Sequence, residues 1–370
     1  MLITAIATST PEQVLTHKEG ELMQRKMFAR LSTEPVSDLL NILINHVYRG
    51  EDNKRRHCVA LKYHKRLLED INPDDDNPGT KTEQRMEIYA EEALALTIKS
   101  VKKLQNTKNN QESLFSHIIY VSCTGQSAPG ISFDIAQHVS QDNSISLLEI
   151  NFYGGCAGLL SGLKVAKDIV DAKPSNRVLL CATELCSLHF KPTKSNEQVI
   201  VNSIFADGSV CLICEGEDNT KQSQGITSQS WSHILSRTHL LPDTKSMVTW
   251  ELGSAGFKMG LSPALPKYIE KNLKDIVEMI LAQENLEVSS IDNWAIHPGG
   301  PKILDACQSA LTLSDEQVAT SRDIYRDFGN MSSSTVGFVL ERMRSENKRG
   351  YCVAIAFAPG VRLEMAILHY

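Results

Sequence analysis

The chain has 370 residues, 42% hydrophobic and 22% charged, the balance of a soluble globular protein too long for one ordinary core. A formal net charge of −6 argues against nucleic acid, which needs a basic footprint. No stretch reaches the roughly 18 apolar residues of a membrane span, and the opening MLITAIATSTPEQV lacks the basic start of a signal peptide.

In chain order, residues 1–8 read as a strand. Residues 17–70 carry charge at helical spacing, interrupted at Pro35 and Gly50. NPDDDNPG, 72–79, is an acidic, turn-rich loop. Thr80 and Glu83 have the spacing of a capping box. Met86, Ala90, Ala93, Thr97, Val101 and Leu104 follow at a period that predicts a helix over 82–104. HIIYVSCTG, 117–125, and LLEINFYG, 147–154, read as strands. AGLLSGLKVAKDIVDA, 157–172, reads as a helix whose small first residues permit close packing. Further strands fall at 177–185 and 208–216.

The second half repeats this plan without an exact sequence repeat. A strand begins near residue 225, and a helix follows over 262–285. NWAIHPGG, 293–300, is strand then turn, and 301–311 is a helix. YCVAIAFAPG and RLEMAILHY close the chain as strands. Strands alternating with helices in both halves argue for α/β layers.

The cysteines are at 58, 123, 156, 181, 186, 211, 214, 307 and 352. An odd, sparse set in apolar runs reads as buried free thiols in a reducing cytoplasm. Cys211 and Cys214 form a C-x-x-C inside a strand, where they point to opposite faces. No second pair or nearby His completes a zinc site.

Cys156 differs from the rest. In NFYGGCAGLLSG, 151–162, it sits between a Gly pair and small residues, where strand becomes helix. Glycines there permit unusual backbone angles. A helix N-terminus stabilises a thiolate, which predicts a lowered pKa. A nucleophile needs a base and an oxyanion donor. His297 ends the apolar strand of NWAIHPGG, the kind of place where active sites of open α/β sheets gather. Asn330, in DFGNMSSSTVGFVLE, occupies a turn leading into a helix. Each alone also fits an ordinary role: small core thiol, satisfied core histidine, capping amide. Together they are ordered Cys, His, Asn, each at a glycine-flanked strand-to-loop junction.

GGCAG, IFADG, HPGGPKIL, GNMSS and FAPGVRLE carry a resemblance over essentially the whole chain. The sequence resembles the type III polyketide synthases, the chalcone-synthase-like branch of the thiolase superfamily. That resemblance implies a thiolase-like five-layer αβαβα fold of two similar halves. Residues 1–222 would carry the nucleophile and 223–370 the His and Asn. It implies a cytoplasmic homodimer that takes acyl-CoA and malonyl-CoA, with no resident cofactor and no metal.

By the same resemblance, Cys156 accepts the acyl group and His297 holds it as a thiolate. Asn330 and His297 bind the thioester oxygen. Phe205 gates the cavity, and Met259 stands where relatives carry a second gatekeeper phenylalanine. Thr124, His189, Trp250, Ser332 and Pro359 match substrate-cavity positions. Lys54, Arg55, Arg56, Gly299 and Lys302 match positions near coenzyme A.

Ala358 replaces a glycine of the plant enzymes, Trp250 and His189 replace smaller residues, and Ala128 replaces a methionine. These departures resemble bacterial members, many of which make alkylpyrones or alkylresorcinols from fatty acyl-CoA. A single-condensation ketoacyl synthase, a Cys-His-Asn hydrolase and a non-catalytic acyl-CoA binder stay open as alternatives.

Overall fold

A computed structural model of the chain describes residues 1–31, 37–49, 54–69, 79–106, 114–139, 144–151, 154–217 and 230–370. The acidic loop, the breaks at Pro35 and Gly50, and the start of the strand expected near 225 lie outside these residues.

The strands are β1 (Leu2–Ser9), β2 (Val14–Thr16), β3 (Arg55–His57), β4 (His117–Ser122), β5 (Ser146–Asn151), β6 (Arg177–Leu185) and β7 (Asp207–Glu215) in the first half. The second half carries β8 (Trp231–Leu240), β9 (Val248–Gly253), β10 (Gly256–Leu261), β11 (Asn293–Ile296), β12 (Tyr351–Ala358) and β13 (Arg362–His369). The helices are α1 (His17–Leu31), α2 (Asp38–Arg49), α3 (Thr82–Gln105), α4 (Ile131–Val139), α5 (Gly158–Ala172) and α6 (Asn196–Ile204), then α7 (Leu265–Leu281), α8 (Pro301–Leu311), α9 (Asp315–Phe328) and α10 (Thr335–Ser345).

The main sheet has the order β11-β12-β13-β8-β1-β7-β6-β4-β5 among the described residues. It is two sheets meeting at one seam, because β1 and β8 pair only through Leu2↔Ser232 and Ile3↔Trp231. Counting each half's main-sheet strands in chain order, the first set runs 3-2-4-5-1 and the second 2-3-4-1, which is the first order with its edge strand left out. The second half thus repeats the first without a counterpart of edge strand β5.

Helices α5 and α10 each touch strands of both sets. Their apolar faces share one core with Val121, Leu180 and Leu212 from one sheet and Ala354 and Ala366 from the other. Gly158 and Gly162 make that approach possible. A Cβ on Gly158 would come within 2.6 Å of Val121, and one on Gly162 within 2.7 Å of Leu180. Helix α3 covers the outer face of the first sheet, and α7 and α8 cover that of the second. The layers are therefore αβαβα, as the resemblance implied.

Cys211 and Cys214 belong to different core clusters on opposite faces of β7. All nine cysteines are free, and no metal-binding cluster occurs among the described residues. The capping box is a correction. Lys81 is the N-cap of α3 without a side-chain cap, and the Thr80 hydroxyl instead donates to the Arg66 carbonyl at 2.5 Å.

Candidate active site

The site lies where α5 and α10 begin between the two sheets. Cys156 sits in a 3-10 turn, Gly155–Ala157, ahead of α5. Gly155 has φ +46°, and a Cβ there would lie 2.4 Å from Pro359 Cδ. The turn needs glycine on both counts, and the loop after β12 presses directly upon it.

Asn330 forms a parallel bridge with Phe205. Its N–H donates to Ile204 O at 2.9 Å, and its carbonyl accepts from Ala206 N at 2.8 Å. Asn330 and Phe205 therefore share one backbone junction. Ser332 follows with φ +48°, and its N–H donates to Asn330 Oδ1 at 2.8 Å. The Ser332 hydroxyl reaches Cys156 Sγ at 3.6 Å and Cys123 Sγ at 3.0 Å. Asn330 Nδ2 donates to Gly299 O at 3.2 Å. A Cβ on Gly299 would touch the His297 ring at 3.7 Å. The three candidates thus meet through Ser332 and Gly299.

His297 follows β11 and is 2% exposed. Neither of its ring nitrogens has a hydrogen-bond partner among the described residues. Burial pushes its pKa down to about 3. Burial likewise pushes the Cys156 thiol up to about 11; the Ser332 hydroxyl opposes this and buried Glu184 adds to it. This corrects the lowered pKa expected from the helix N-terminus. Desolvation of a thiolate in a closed site outweighs the dipole of α5. Burial disfavours either charge alone, so a thiolate there calls for a compensating positive charge.

Glu184, at the end of β6, braces the floor. It is fully buried and accepts from Thr124 Oγ1 at 2.7 Å, Cys123 N at 3.0 Å and the Ser333 hydroxyl. Burial raises its pKa, against these donors.

The cavity at Cys156 has a volume of about 30 Å³. Thr124, Phe205, Trp250, Met259, Ser332 and Pro359 line it, as the sequence suggested. Cys123, Cys186 and Phe357 line it too and were missed. Their only signal was position, because each stands at or near the end of a strand that reaches the site.

Two assignments change, those of His189 and Arg56. His189 lies behind the wall: it is fully buried, its Nε2 donates to Thr124 O at 2.7 Å and its Nδ1 accepts from Phe257 N at 3.1 Å. Arg56 is 0% exposed and points inward, because the period of β3 sends Arg55 out and Arg56 in. Its guanidinium Nη1 donates to the carbonyls of Asn202 at 2.7 Å and Phe205 at 3.0 Å, which places it away from any solvent-borne phosphate. Lys54, just before β3, and Arg55, its first residue, are exposed and do not line the cavity. Lys302 is exposed in the first turn of α8, whereas Gly299 belongs to the site itself.

A layered αβαβα fold with Cys, His and Asn at the meeting of its halves defines a thiolase-like acyltransferase. The N-terminal domain of chalcone and stilbene synthases matches residues 1–218, and the C-terminal domain matches 233–370. The chain belongs to this family, and with it to the type III polyketide synthases. It is 31% identical to the "Alpha-pyrone synthesis polyketide synthase-like Pks18" of Mycobacterium tuberculosis, over 76% of this chain and 71% of that protein. It is 30% identical over 68% of its length to "Probable polyketide synthase 1" of Dictyostelium discoideum, of which it spans only 8%. The crystal structure of PKS-I from the brown alga Ectocarpus siliculosus shares the fold, with a TM-score of 0.85 at 24% identity over 100% of this chain and 97% of that one.

Proposed function

We propose that the chain extends a Cys156-bound starter with malonyl-CoA and closes the product to a pyrone or resorcinol. The observation that carries this reading is that Cys156 lines the cavity while Ser332 and Gly299 link it to Asn330 and His297. In the first step Cys156 Sγ displaces coenzyme A from an acyl-CoA and keeps the acyl group. Malonyl-CoA then loses carbon dioxide and leaves an enolate on its thioester oxygen. A neutral imidazole with unpartnered nitrogens can donate to that oxygen, and so can the second N–H of the Asn330 amide. The enolate carbon attacks the acyl thioester, a β-ketoacyl-CoA forms, and Cys156 is freed. Phe205 supplies an apolar wall that disfavours the malonyl carboxylate. The cycle needs no resident cofactor.

The name of the mycobacterial relative favours a pyrone. A cavity of about 30 Å³ leaves little room beside Cys156 for the alkyl tail expected from sequence unless a lining side chain such as Trp250 moves. The test is mass spectrometry of products from malonyl-CoA with a panel of acyl-CoA starters, beside Cys156→Ala. Multi-extended, cyclised masses that vanish in the variant are expected. A single condensation would move the reading to a ketoacyl synthase.

The first half is proposed as residues 1–222 and the second as 223–370, a boundary outside the described residues. No described helix is long and apolar enough to cross a membrane, and a cytoplasmic location is proposed. A homodimer is proposed through β5. This edge strand leaves Leu147 and Leu148 40% and 41% exposed, with Phe133 of neighbouring α4 at 47%. Exposed apolar edges pair with another chain unless blocked. Sedimentation of the wild type should show a dimer at micromolar concentration. Leu148→Asp should raise its dissociation constant by about 10²-fold or more, as for a charge forced into a desolvated contact. A monomeric wild type would overturn this interface.

A further inference from the structure

We infer that Arg56 is a positioning residue for malonyl decarboxylation, acting through the backbone junction that joins Phe205 to Asn330. The inference rests on the role of Asn330 proposed above.

Arg56 reaches that junction from beneath. Its Nη1 holds the Phe205 carbonyl and, one turn earlier on α6, the Asn202 carbonyl. Its alkyl stem runs under Gly329, the residue before Asn330. A Cβ on Gly329 would lie 2.9 Å from Arg56 Cγ and 3.1 Å from Ile204 O. Gly329 also has φ +77°, so this approach has no alternative residue. On the far side of the same peptides, Asn330 N–H binds Ile204 O, and Ala206 N–H binds the Asn330 carbonyl. The strand segment 204–206 is thus clamped between Arg56 and Asn330.

A stability role alone fits the guanidinium poorly. Arg56 Nε and Nη2 have no hydrogen-bond partner among the described residues. Other neighbours are the Phe190 ring, 5.6 Å from the guanidinium carbon, Tyr48 and buried Asp207, whose charge attracts it. No ion pair within 4.0 Å of Arg56 occurs among the described residues. A buried charge with unmet donors is costly to keep. An apolar side chain of that length would pack beneath Gly329 more cheaply, but it would release both carbonyls. What only arginine supplies here is a two-carbonyl hold on the segment that sets Asn330.

An amide donor displaced by about 1 Å can cost on the order of 10²-fold in rate. The nucleophile shares this dependence only through the long Ser332 contact, 3.6 Å from Cys156 Sγ. Cys156 is set by Gly155, Pro359 and α5, none of which touches Arg56 by hydrogen bond.

The experiment uses the full chain with Arg56→Met, Arg56→Lys, Gly329→Ala and Asn330→Ala. It measures carbon dioxide release from malonyl-CoA without starter, iodoacetamide alkylation of Cys156, and Tm. Arg56→Met should lower kcat for carbon dioxide release by about 10²-fold, with KM and the alkylation rate changed by less than about threefold. Arg56→Lys keeps enough donors for both carbonyls but not the reach and rigid fork of the guanidinium, and should recover part of the loss. Gly329→Ala pushes the junction from the other side with arginine present, and should show the same split if Arg56→Met does not fold. Decarboxylation and alkylation falling together, or neither falling, would overturn the inference. Unchanged carbon dioxide release in Asn330→Ala would instead overturn the role of Asn330 on which it rests. Loss in Asn330→Ala with full activity in Arg56→Met would sink the Arg56 assignment alone.

Discussion

In His297→Ala, alkylation of Cys156 by iodoacetamide at pH 7 falls by about 10²-fold relative to the wild type, and the lost rate returns as pH rises. The magnitude follows from two opposing effects. Burial alone sets the thiol near 11. Without an imidazolium, the thiolate fraction at pH 7 is then about 10⁻⁴. A thiolate of such high pKa is intrinsically more nucleophilic, by roughly 10²-fold over four pKa units. The net loss is near 10². The sign follows from the same value: below pH 11 each unit of pH multiplies the thiolate tenfold, so log rate climbs with a slope of one through pH 8–10. If His297 pairs with Cys156 as proposed, the wild-type profile should be flat across neutrality. The reciprocal check is His297 in Cys156→Ala. Burial holds that imidazole neutral, with a pKa near 3, so its NMR shifts should not titrate between pH 5 and 9. An alanine variant that kept the wild-type rate at pH 7 would assign the thiolate to the α5 N-terminus instead.

The legible parts of this molecule are those where one local signal had one meaning. The α3 periodicity gave a helix to within one residue at its C-terminal end, because a half-buried helix must repeat its apolar face. Cys156, His297 and Asn330 were visible because each sits where the chain must turn sharply. The glycines that permit those turns, Gly155 and Gly329, are read directly from sequence. The β9–β10 hairpin was not legible. Its alternation is broken by Gly253, Ser254 and Gly256, and most of its side chains are half-buried or exposed.

Arg56 was misread for a different reason. A run of Lys54, Arg55 and Arg56 looks like a solvated patch, and a three-residue strand is too short for its period to announce itself. Only tertiary structure tells which arginine is enclosed. Cys123 and Cys186 were passed over because thiols in apolar runs look like core. His189 aligned with a cavity position, yet Trp250 stands in front of it, so its place depends on a neighbour 61 residues away along the chain.

Trp250→Ala should shift starter preference toward long acyl chains. The indole occupies the cavity wall and is locked from three sides. Its Nε1 donates to Cys123 O at 2.7 Å. It meets His189 and Phe257 edge-on, each at 5.6 Å between centroids. Those two rings stack at 4.1 Å and 13°, and the two His189 hydrogen bonds fix their orientation. An indole held this way does not swing out as freely as Met259, whose thioether is flexible. It therefore sets the room beside Cys156. Removing it opens the space toward His189 and Phe257, an apolar wall suited to methylenes. Each methylene accommodated in such a pocket is worth roughly 1–3 kcal/mol. The ratio of kcat/KM for a long-chain over a short-chain acyl-CoA should accordingly rise at least about tenfold, read by competition between the two starters with product masses counted. Trp250→Phe separates volume from anchoring: it keeps most of the ring, leaves Cys123 O without its donor, and should alter the ratio far less. An unchanged ratio in Trp250→Ala would mean that the chain grows in another direction, past Pro359 and Phe357, and that Trp250 serves the hairpin and not the substrate.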